Sequence, residues 1–266
     1  MTLSIDHVVI LVNDLDAANA DYAALGFTVI PGGEHAGGAT HNALISFADG
    51  SYLELIAFKR SEPKHFWWRH TSIGPGLIDF ALLPSDIAVE IAAMAQRGLI
   101  YRGPTPGGRL RLDGQRIAWQ MGMPPNSALP FLCADVTPRA LRVPSGSAWR
   151  HANGVTGVAG LTVVVNDLTM SAASYRMLLG CVEQRQATKA IGSDKIEPGT
   201  QIVAFSVGNV VLTLAEPPPG SRDSLRERLD ARGDGIYALQ LHSVDPTSSG
   251  ALDLKCTHGA RIEIVA

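Results

Sequence analysis

Apolar and polar positions near the start of the chain predict a strand followed by a helix. Residues 4–12 form a run rich in valine and isoleucine, which is typical of a buried strand. Asp14 then offers a side chain that can cap a helix, and apolar residues recur at helical spacing as far as Leu25. Gly26 ends that helix, because glycine readily adopts the left-handed conformation at a helix C-terminus.

Three more strands are predicted after this helix. FTVI (27–30) is a short strand, and the letters PGGEHAGGATHN after it predict a glycine-rich loop. Residues 41–47 and 51–58 follow as two strands joined by Asp49-Gly50, which is a strong hairpin signal. The pattern therefore predicts a βαβββ module.

The opening phrase of this module occurs twice in the chain. Residues 5–15 read IDHVVILVNDL and residues 158–168 read VAGLTVVVNDL. The offset between these two copies also aligns Tyr22 with Tyr175 in the helix that follows each copy. Weaker copies begin at residue 76 and at residue 235, the last without its helix. Internal repetition of this kind indicates repeated structural units, so we predict an α+β fold of four tandem βαβββ modules with the fourth truncated.

Composition narrows the class of protein. The chain has 266 residues, of which 46% are hydrophobic, a balance typical of globular proteins. A net charge of −3 and a pI of about 6.2 argue against a nucleic-acid-binding surface. The three cysteines are far apart, which argues against a disulfide framework or a cysteine zinc site and favours a reducing cytoplasm. No stretch is apolar for long enough to predict a membrane span, and the N-terminus is typical of a strand rather than a signal peptide.

Several segments resemble the vicinal oxygen chelate superfamily, and more narrowly its glyoxalase-like branch. They are IDHVVILVNDLDAA, GGEHAGGATHNALISFADGSYLELIAF, RGPTPGGRLRLDGQRIAWQ and LPFLCADVTPRALRVP. The resemblance implies that paired modules curl into two cup-shaped curved sheets, each around one concave site. We therefore expect domains at residues 1–141 and 155–266, joined by a linker at 142–154. Because this superfamily includes isomerases, epimerases, ring-cleaving dioxygenases and drug-binding proteins, function has to be argued from the site.

The resemblance also implies a divalent metal bound by inward side chains of the first and last strands of a module. His7 matches the first-strand ligand and Glu54 the last-strand ligand. An imidazole with a carboxylate suits zinc, manganese, nickel or iron. A third ligand is expected from the same module, and we expect His41 there, with His35 as the alternative.

The other modules offer fewer ligands. Alignment of the apolar patterns puts Phe80 at the position of His7 in module two, and Ala134 where a last-strand carboxylate would stand. In module three Gly160 replaces His7, and Leu212 or Thr213 replaces Glu54. We therefore predict that the N-terminal cup carries the site and that the C-terminal cup lacks a complete metal site.

Further side chains are expected to contact the bound molecule. Gln120, on a strand of module two, could be a metal ligand or donate a hydrogen bond to the substrate, and Phe80 and Trp119 could form apolar walls. The aromatic stretch HFWWRH (65–70) either lines the same pocket or packs between modules.

Two classes of function remain open at this point. One is a metal-dependent lyase or isomerase acting on a small oxygenated metabolite, in which the metal stabilises an enediolate and Glu54 is either a ligand or the catalytic base. A ring-cleaving dioxygenase is a variant that needs a second histidine. The other class is a metal-free small-molecule binding protein. The expected partner is a small molecule, and a homodimer is left open.

Overall fold

The computed structural model describes residues 3–180 and 198–266. The described strands are β1 (Ser4–Leu11), β2 (Ile30–His35), β3 (Thr40–Ser46), β4 (Tyr52–Phe58), β5 (Gly76–Leu83), β6 (Arg102–Leu110), β7 (Arg116–Met123), β8 (Phe131–Asp135), β9 (Val155–Val164), β10 (Gln201–Val207), β11 (Val210–Glu216), β12 (Gly235–Ser243), β13 (Gly250–Ala251) and β14 (Ile262–Val265). The described α-helices are α1 (Leu15–Ala24), α2 (Ile87–Gln96), α3 (Arg139–Arg142), α4 (Leu168–Leu179) and α5 (Ser224–Arg232). No helix of the described residues is long and apolar enough to cross a membrane.

The helix of each of the first three modules begins directly after an aspartate, as the sequence predicts for Asp14. Asp14 accepts hydrogen bonds from the backbone N–H groups of residues 16 and 17, and Asp86 accepts the equivalent pair from residues 88 and 89. Asp167 accepts one from Met170. Each cap satisfies donors that the first turn of a helix leaves without a partner, which fixes where the helix starts.

The strands form two sheets. β1 to β8 close into a barrel in the order β1-β4-β3-β2-β6-β7-β8-β5, and the remaining strands form a six-stranded sheet in the order β10-β11-β9-β12-β14-β13. Modules one and two thus share the barrel, and modules three and four share the second sheet. The predicted α+β fold of curved sheets built from repeated modules is confirmed.

Strand register corrects the equivalence between the first two modules. β1 runs antiparallel to β5, with His7 opposite Ala81 and Val9 opposite Asp79. The internal symmetry that exchanges the two modules also exchanges these two pairs, so Asp79 takes the position of His7 and Ala81 that of Val9. The assignment of Phe80 to the position of His7 is therefore wrong by one residue. A slip of one residue turns a strand side chain to the opposite face, and Phe80 accordingly packs in the core outside the barrel.

The same symmetry corrects the last strand of module two. Val9 lies opposite Glu54 in the parallel pair of β1 and β4, and Ala81 lies opposite Phe131 in the parallel pair of β5 and β8. The counterpart of Glu54 is therefore Phe131, not Ala134. The sequence gives no landmark for this register, because LPFLCADV is apolar at almost every position.

Part of the predicted glycine-rich loop is a strand. β2 covers IPGGEH and pairs with both β3 and β6, so it forms the seam between the two modules. A side chain at Gly33 would bring Cβ to 2.1 Å from the carbonyl oxygen of Leu110. Glycine is therefore required for the close approach of β2 to β6. The seam carries His35 to the inner side of the barrel.

The described hydrophobic residues pack mainly on the outside of the barrel. A large cluster joins the outer face of the barrel to the helices and to the second sheet, and it includes Tyr22, Phe47, Tyr175 and Phe205. A smaller cluster fills one part of the barrel interior with residues such as Val9, Trp67 and Phe131. The rest of the interior forms a cavity lined by polar and aromatic side chains.

The segment predicted as a linker packs closely against the barrel. Arg142 is buried at its start. The buried ring of His151 accepts a hydrogen bond from the backbone N–H of Thr28, so its other nitrogen carries the proton and donates to the carbonyl oxygen of Ser46. Asn153 donates to the carbonyl oxygen of Leu25. Residues 142–154 therefore fasten the connection to module one, and the division into two domains stays a prediction.

Candidate functional site

A cavity of about 190 Å³ lies inside the barrel. Polar and aromatic side chains from both modules surround it. Its lining consists of His7, His35, Ala36, Ala39, Thr40, Asn42, Tyr52, Glu54, Ile56, His65, Phe66, Trp67, Pro106, Gly107, Gly108, Arg109, Trp119, Met121, Phe131, Cys133 and Arg142.

His7 is held rigidly at the wall of this cavity. Its ring stacks on Tyr52, with 4.6 Å between the ring centroids, and meets the edge of Phe131. Nδ1 lies 2.7 Å from Oδ2 of Asp6. Because an ionised carboxylate only accepts, Nδ1 carries the proton, and in the neutral ring Nε2 presents its lone pair to Oε2 of Glu54 at 3.5 Å.

Asp6 keeps its charge although it is fully buried. Burial by itself would raise the pKa of Asp6, but the guanidinium of Arg142 and the hydrogen bond from His7 hold it well below its usual range. Arg142 makes two contacts to Asp6, at 2.8 and 3.0 Å, and also reaches Asp135 and the hydroxyl of Tyr52. Arg142 on helix α3 therefore fixes the position of Asp6, which in turn orients His7.

Glu54 is an ionised carboxylate at the centre of the polar side chains. Burial favours its neutral form, but the contacts with His35, His7 and the amide of Asn42 lower its pKa to about 2. The amide nitrogen of Asn42 donates to Oε1 at 2.6 Å. Nε2 of His35 lies 3.4 Å from the same oxygen.

His35 completes the group from the end of β2. Its Nδ1 is 2.9 Å from the hydroxyl of Thr40, and its ring meets Trp119 edge-on. These contacts turn Nε2 toward Glu54. The sequence left His35 as the alternative third ligand, and only the pairing of β2 across the module seam brings it to the cavity.

His41, the expected third ligand, does not reach the cavity. Thr40 and Asn42 on either side of it line the cavity, so strand alternation sends His41 to the opposite face of β3. There it lies in a separate surface groove with Asp16 and Lys59. Burial lowers the pKa of His41, and Lys59 lowers it further.

Of the three predicted substrate contacts, one lines the cavity and two do not. Trp119 lines the cavity, and its indole lies over Gly107, where a Cβ would come within 2.3 Å of the ring nitrogen. Gln120 is the next residue on β7 and faces the other side, between the cavity-lining Trp119 and Met121. Phe80 packs outside the barrel, as described above. The structure thus brings Trp119, but neither Gln120 nor Phe80, to the site.

The aromatic stretch at 65–70 supplies a further wall. His65, Phe66 and Trp67 line the cavity. The indole nitrogen of Trp67 donates to Asp79 at 2.9 Å. Burial raises the pKa of Asp79 to about 6. The carboxyl at the symmetry position of His7 therefore accepts a hydrogen bond from Trp67 and has a pKa raised toward neutrality.

The described residues hold no ready-made cluster of three His, Cys, Asp or Glu metal ligands. The donor chemistry at Glu54 nevertheless suits a divalent cation. The lone pair of His7 faces one oxygen of Glu54, and Nε2 of His35 faces the other. Each ring is oriented through its second nitrogen, as is usual for metal-binding histidines.

Among the described residues of the second sheet, the two equivalent positions hold no histidine and no glutamate. Its register places Gly160 at the position of His7 and Thr213 at that of Glu54. Glu263, on β14 of this sheet, accepts a hydrogen bond from the side chain of Gln240. The two copies of the opening phrase therefore differ at one position of this site, with His7 at the cavity wall in the barrel and Gly160 at the equivalent position in the second sheet.

A closed barrel of two βαβββ modules, with a histidine on its first strand and a glutamate on its fourth, defines a vicinal oxygen chelate fold. Residues 5–179 match the family model described as a glyoxalase-like domain, and the chain belongs to this family. No curated protein sequence gives a significant match.

Solved structures share the fold at low sequence identity. A hypothetical protein from Staphylococcus aureus superposes with a TM-score of 0.74 at 12% identity, over 99% of each chain. A mutant of 4-hydroxymandelate synthase from Streptomyces coelicolor gives 0.62 at 13% identity, over 94% of this chain and 76% of that one. A fusion protein of a xylose isomerase-like TIM barrel and 4-hydroxyphenylpyruvate dioxygenase gives 0.54 at 14% identity, over 95% and 40%.

Proposed function

We propose that the protein is a divalent-metal-dependent enzyme of the lyase or isomerase type that acts on a small oxygenated metabolite in the barrel cavity. His7, His35 and Glu54 would hold the metal. The observation that carries this proposal is the placement of an imidazole nitrogen against each oxygen of Glu54, at 3.5 and 3.4 Å. Two imidazoles and one carboxylate form a ligand set that leaves positions open for substrate.

The surrounding residues support a ligand role for Glu54 rather than a base role. The side chains around Glu54 hold its pKa below the usual range, which makes this carboxylate a weak proton acceptor at neutral pH. Asn42 further holds one of its oxygens. Both features favour a carboxylate that stays charged and fixed throughout a reaction.

A metal in this position would supply Lewis-acid stabilisation of a substrate oxyanion. The chain itself contributes orientation and exclusion of water. Asp6 fixes the tautomer of His7, and Thr40 orients His35. Trp67, Trp119 and Phe131 surround the polar group with apolar surface, which strengthens electrostatic interactions inside the cavity.

An iron-dependent ring-cleaving dioxygenase is the second candidate, and His35 is the observation that favours it. Two histidines and one carboxylate are the ligands that non-haem iron oxygenases use. Oxygen uptake with catechols by the iron-loaded protein would distinguish this candidate from the first. A metal-free binding protein is the function that remains if neither candidate holds metal.

The proposal is tested by the metal content of the protein purified without chelator. We expect about one divalent ion per chain in the wild type, and loss of most of it in His7→Ala and Glu54→Ala, because each change removes one of few protein ligands. Thr213→Val, at the position equivalent to Glu54 in the second sheet, is the control and should keep the metal. A metal-free wild type with no thermal shift on adding zinc, manganese, nickel or iron would contradict the proposal and leave the binding protein.

A further inference from the structure

Arg109 is a buried guanidinium on β6 that lines the same cavity. It is 4% exposed. Nη1 donates to the side-chain oxygen of Asn42 at 3.1 Å, and Nη2 donates to the carbonyl oxygen of Arg142 at 2.7 Å. Both acceptors are uncharged. Its Nε is buried and has no hydrogen-bond partner among the described residues.

The other arginine in the cavity wall is in a different situation. Arg142 contacts the carboxylates of Asp6 and Asp135, so its charge is neutralised within the protein. Arg109 makes no ion pair with a carboxylate among residues 3–180 and 198–266. A buried cation that contacts no carboxylate and has a donor without a partner is unfavourable, and an anion bound beside this guanidinium would relieve both costs.

We propose that Arg109 binds the carboxylate of an aromatic carboxylic acid, which is the substrate class of this site. The inference rests on the proposed function only in that both assign the active site to this cavity. A guanidinium has the planar fork of donors that matches a carboxylate.

Asn42 connects this anion position to the candidate metal ligands. Its oxygen must face the donor Arg109, and its nitrogen must face the acceptor Glu54, so the two neighbours fix the orientation of the amide. A substrate carboxylate at Arg109 would therefore lie one side chain away from Glu54. The substrate carboxylate would then lie beside the part of the substrate that reacts at the candidate metal ligands, and would not itself be the reacting group.

The charges of the cavity favour a monoanion over a phosphate. Arg109 carries one positive charge, and the ionised Glu54 lies at the far end of Asn42. A dianion would meet this negative charge with only one unpaired guanidinium to balance it. A carboxylate balances that guanidinium one to one.

The walls favour an aromatic body for the substrate. Phe66, Trp67, Trp119 and Phe131 face the cavity. Gly107 lacks a side chain where the indole of Trp119 lies against β6, and a Cβ there would come to 2.3 Å from the ring nitrogen. Flat aromatic surfaces of this kind favour stacking or edge contacts with a planar ring.

Benzoate and its uncharged analogue benzamide test the inference by isothermal titration. We expect wild type to bind benzoate at least about tenfold more tightly than benzamide, because a charge-assisted hydrogen bond is worth that much or more. Arg109→Met should lose this preference while binding benzamide as wild type does, and Arg109→Lys should keep part of it. Arg116→Met, at an exposed position on the neighbouring β7, is the control and should match wild type.

Three results would overturn the inference. They are equal affinities of wild type for benzoate and benzamide, no measurable benzoate binding, and unchanged benzoate binding by Arg109→Met. Tighter Arg109-dependent binding of inorganic phosphate than of benzoate would overturn the assignment to a carboxylate. If Arg109→Met does not fold, Arg109→Lys and the comparison of the two ligands on wild type still decide.

Repeating the titrations with chelator separates this inference from the proposed function. The dependence on Arg109 should persist after chelation. Benzoate binding that disappears with the metal and ignores Arg109 would support the metal site and overturn the role of Arg109. A metal-free protein with Arg109-dependent binding would support Arg109 and contradict the proposed function.

Discussion

Polar side chains inside the barrel form one connected series from Asp6 through His7, Glu54 and Asn42 to Arg109. Each contact fixes the next group: the carboxylate sets the tautomer of the histidine, and the arginine sets the orientation of the amide. Buried polar groups are stable only when they are satisfied in this way. Two positions in this series could bind another group. A metal would bind where His7 and His35 face the oxygens of Glu54. A substrate would bind at Arg109, whose Nε has no partner among the described residues.

Asp79 gives a residue-level prediction on pH. Burial raises its pKa to about 6, against hydrogen bonds from Trp67 and from the backbone of Phe80 that lower it. A carboxyl with a raised pKa in the folded state favours folding when protonated, and this contribution is lost as the pH rises through 6. Asp79→Asn keeps the neutral form at every pH. The melting temperature of Asp79→Asn relative to wild type should therefore increase between pH 5 and pH 8, and a difference that does not change with pH would contradict the shift.

The control for this measurement is Asp86→Asn. It removes an exposed carboxylate from the same module at a helix cap that asparagine also supports. Comparison of the two variants by thermal unfolding over the same pH range separates the buried carboxyl from the change in net charge.

At the scale of elements, the hairpin turns at Asp49-Gly50 and Asp113-Gly114 share the Asp-Gly sequence but have different roles. Asp49 accepts hydrogen bonds from the backbone of Ser51 at 2.8 Å and, across the molecule, from the backbone of Val158 in β9 at 3.0 Å. Asp113 in the β6–β7 turn accepts only a local one from Gln115 among its backbone contacts in the described chain. The first turn therefore fastens the barrel to the second sheet, and the second turn only closes a hairpin.

This difference predicts unequal costs of substitution. Asp49→Ala should lower the free energy of unfolding by about 1–3 kcal/mol, because it leaves backbone donors unsatisfied between the two sheets. Asp113→Ala, the matched change, should cost less than about 1 kcal/mol, because it loses an exposed turn contact and an exposed ion pair. Urea unfolding measures both, and equal costs would show that the Asp49 contact to β9 contributes nothing.

At the scale of the whole molecule, local signals predicted the modules and non-local pairing decided the site. The aspartate caps and Asp-Gly turns could be recognised from a few adjacent residues, because each satisfies its own backbone. The strand β2, the register of Phe80 and the choice between His35 and His41 depend on which strands pair across the module seam. No short stretch of sequence contains that information.

His7 and Glu54 could be found because the opening strand and YLELI resemble a known superfamily. Arg109 could not, since a single arginine in a glycine-rich strand gives no sign of burial. The one available signal was GGRLR, where glycines allow close packing beside an arginine. The cytoplasmic location, the homodimer and the two-domain division stay predictions.

The most direct test of the proposed site compares the metal affinity of His35→Ala with that of His41→Ala. The two histidines lie on adjacent strands of the same module, but only His35 lines the cavity with Glu54. Competition with a chromophoric chelator should show divalent-metal affinity weakened at least about tenfold in His35→Ala and unchanged in His41→Ala. Equal affinities in the two variants, or a loss confined to His41→Ala, would contradict the site.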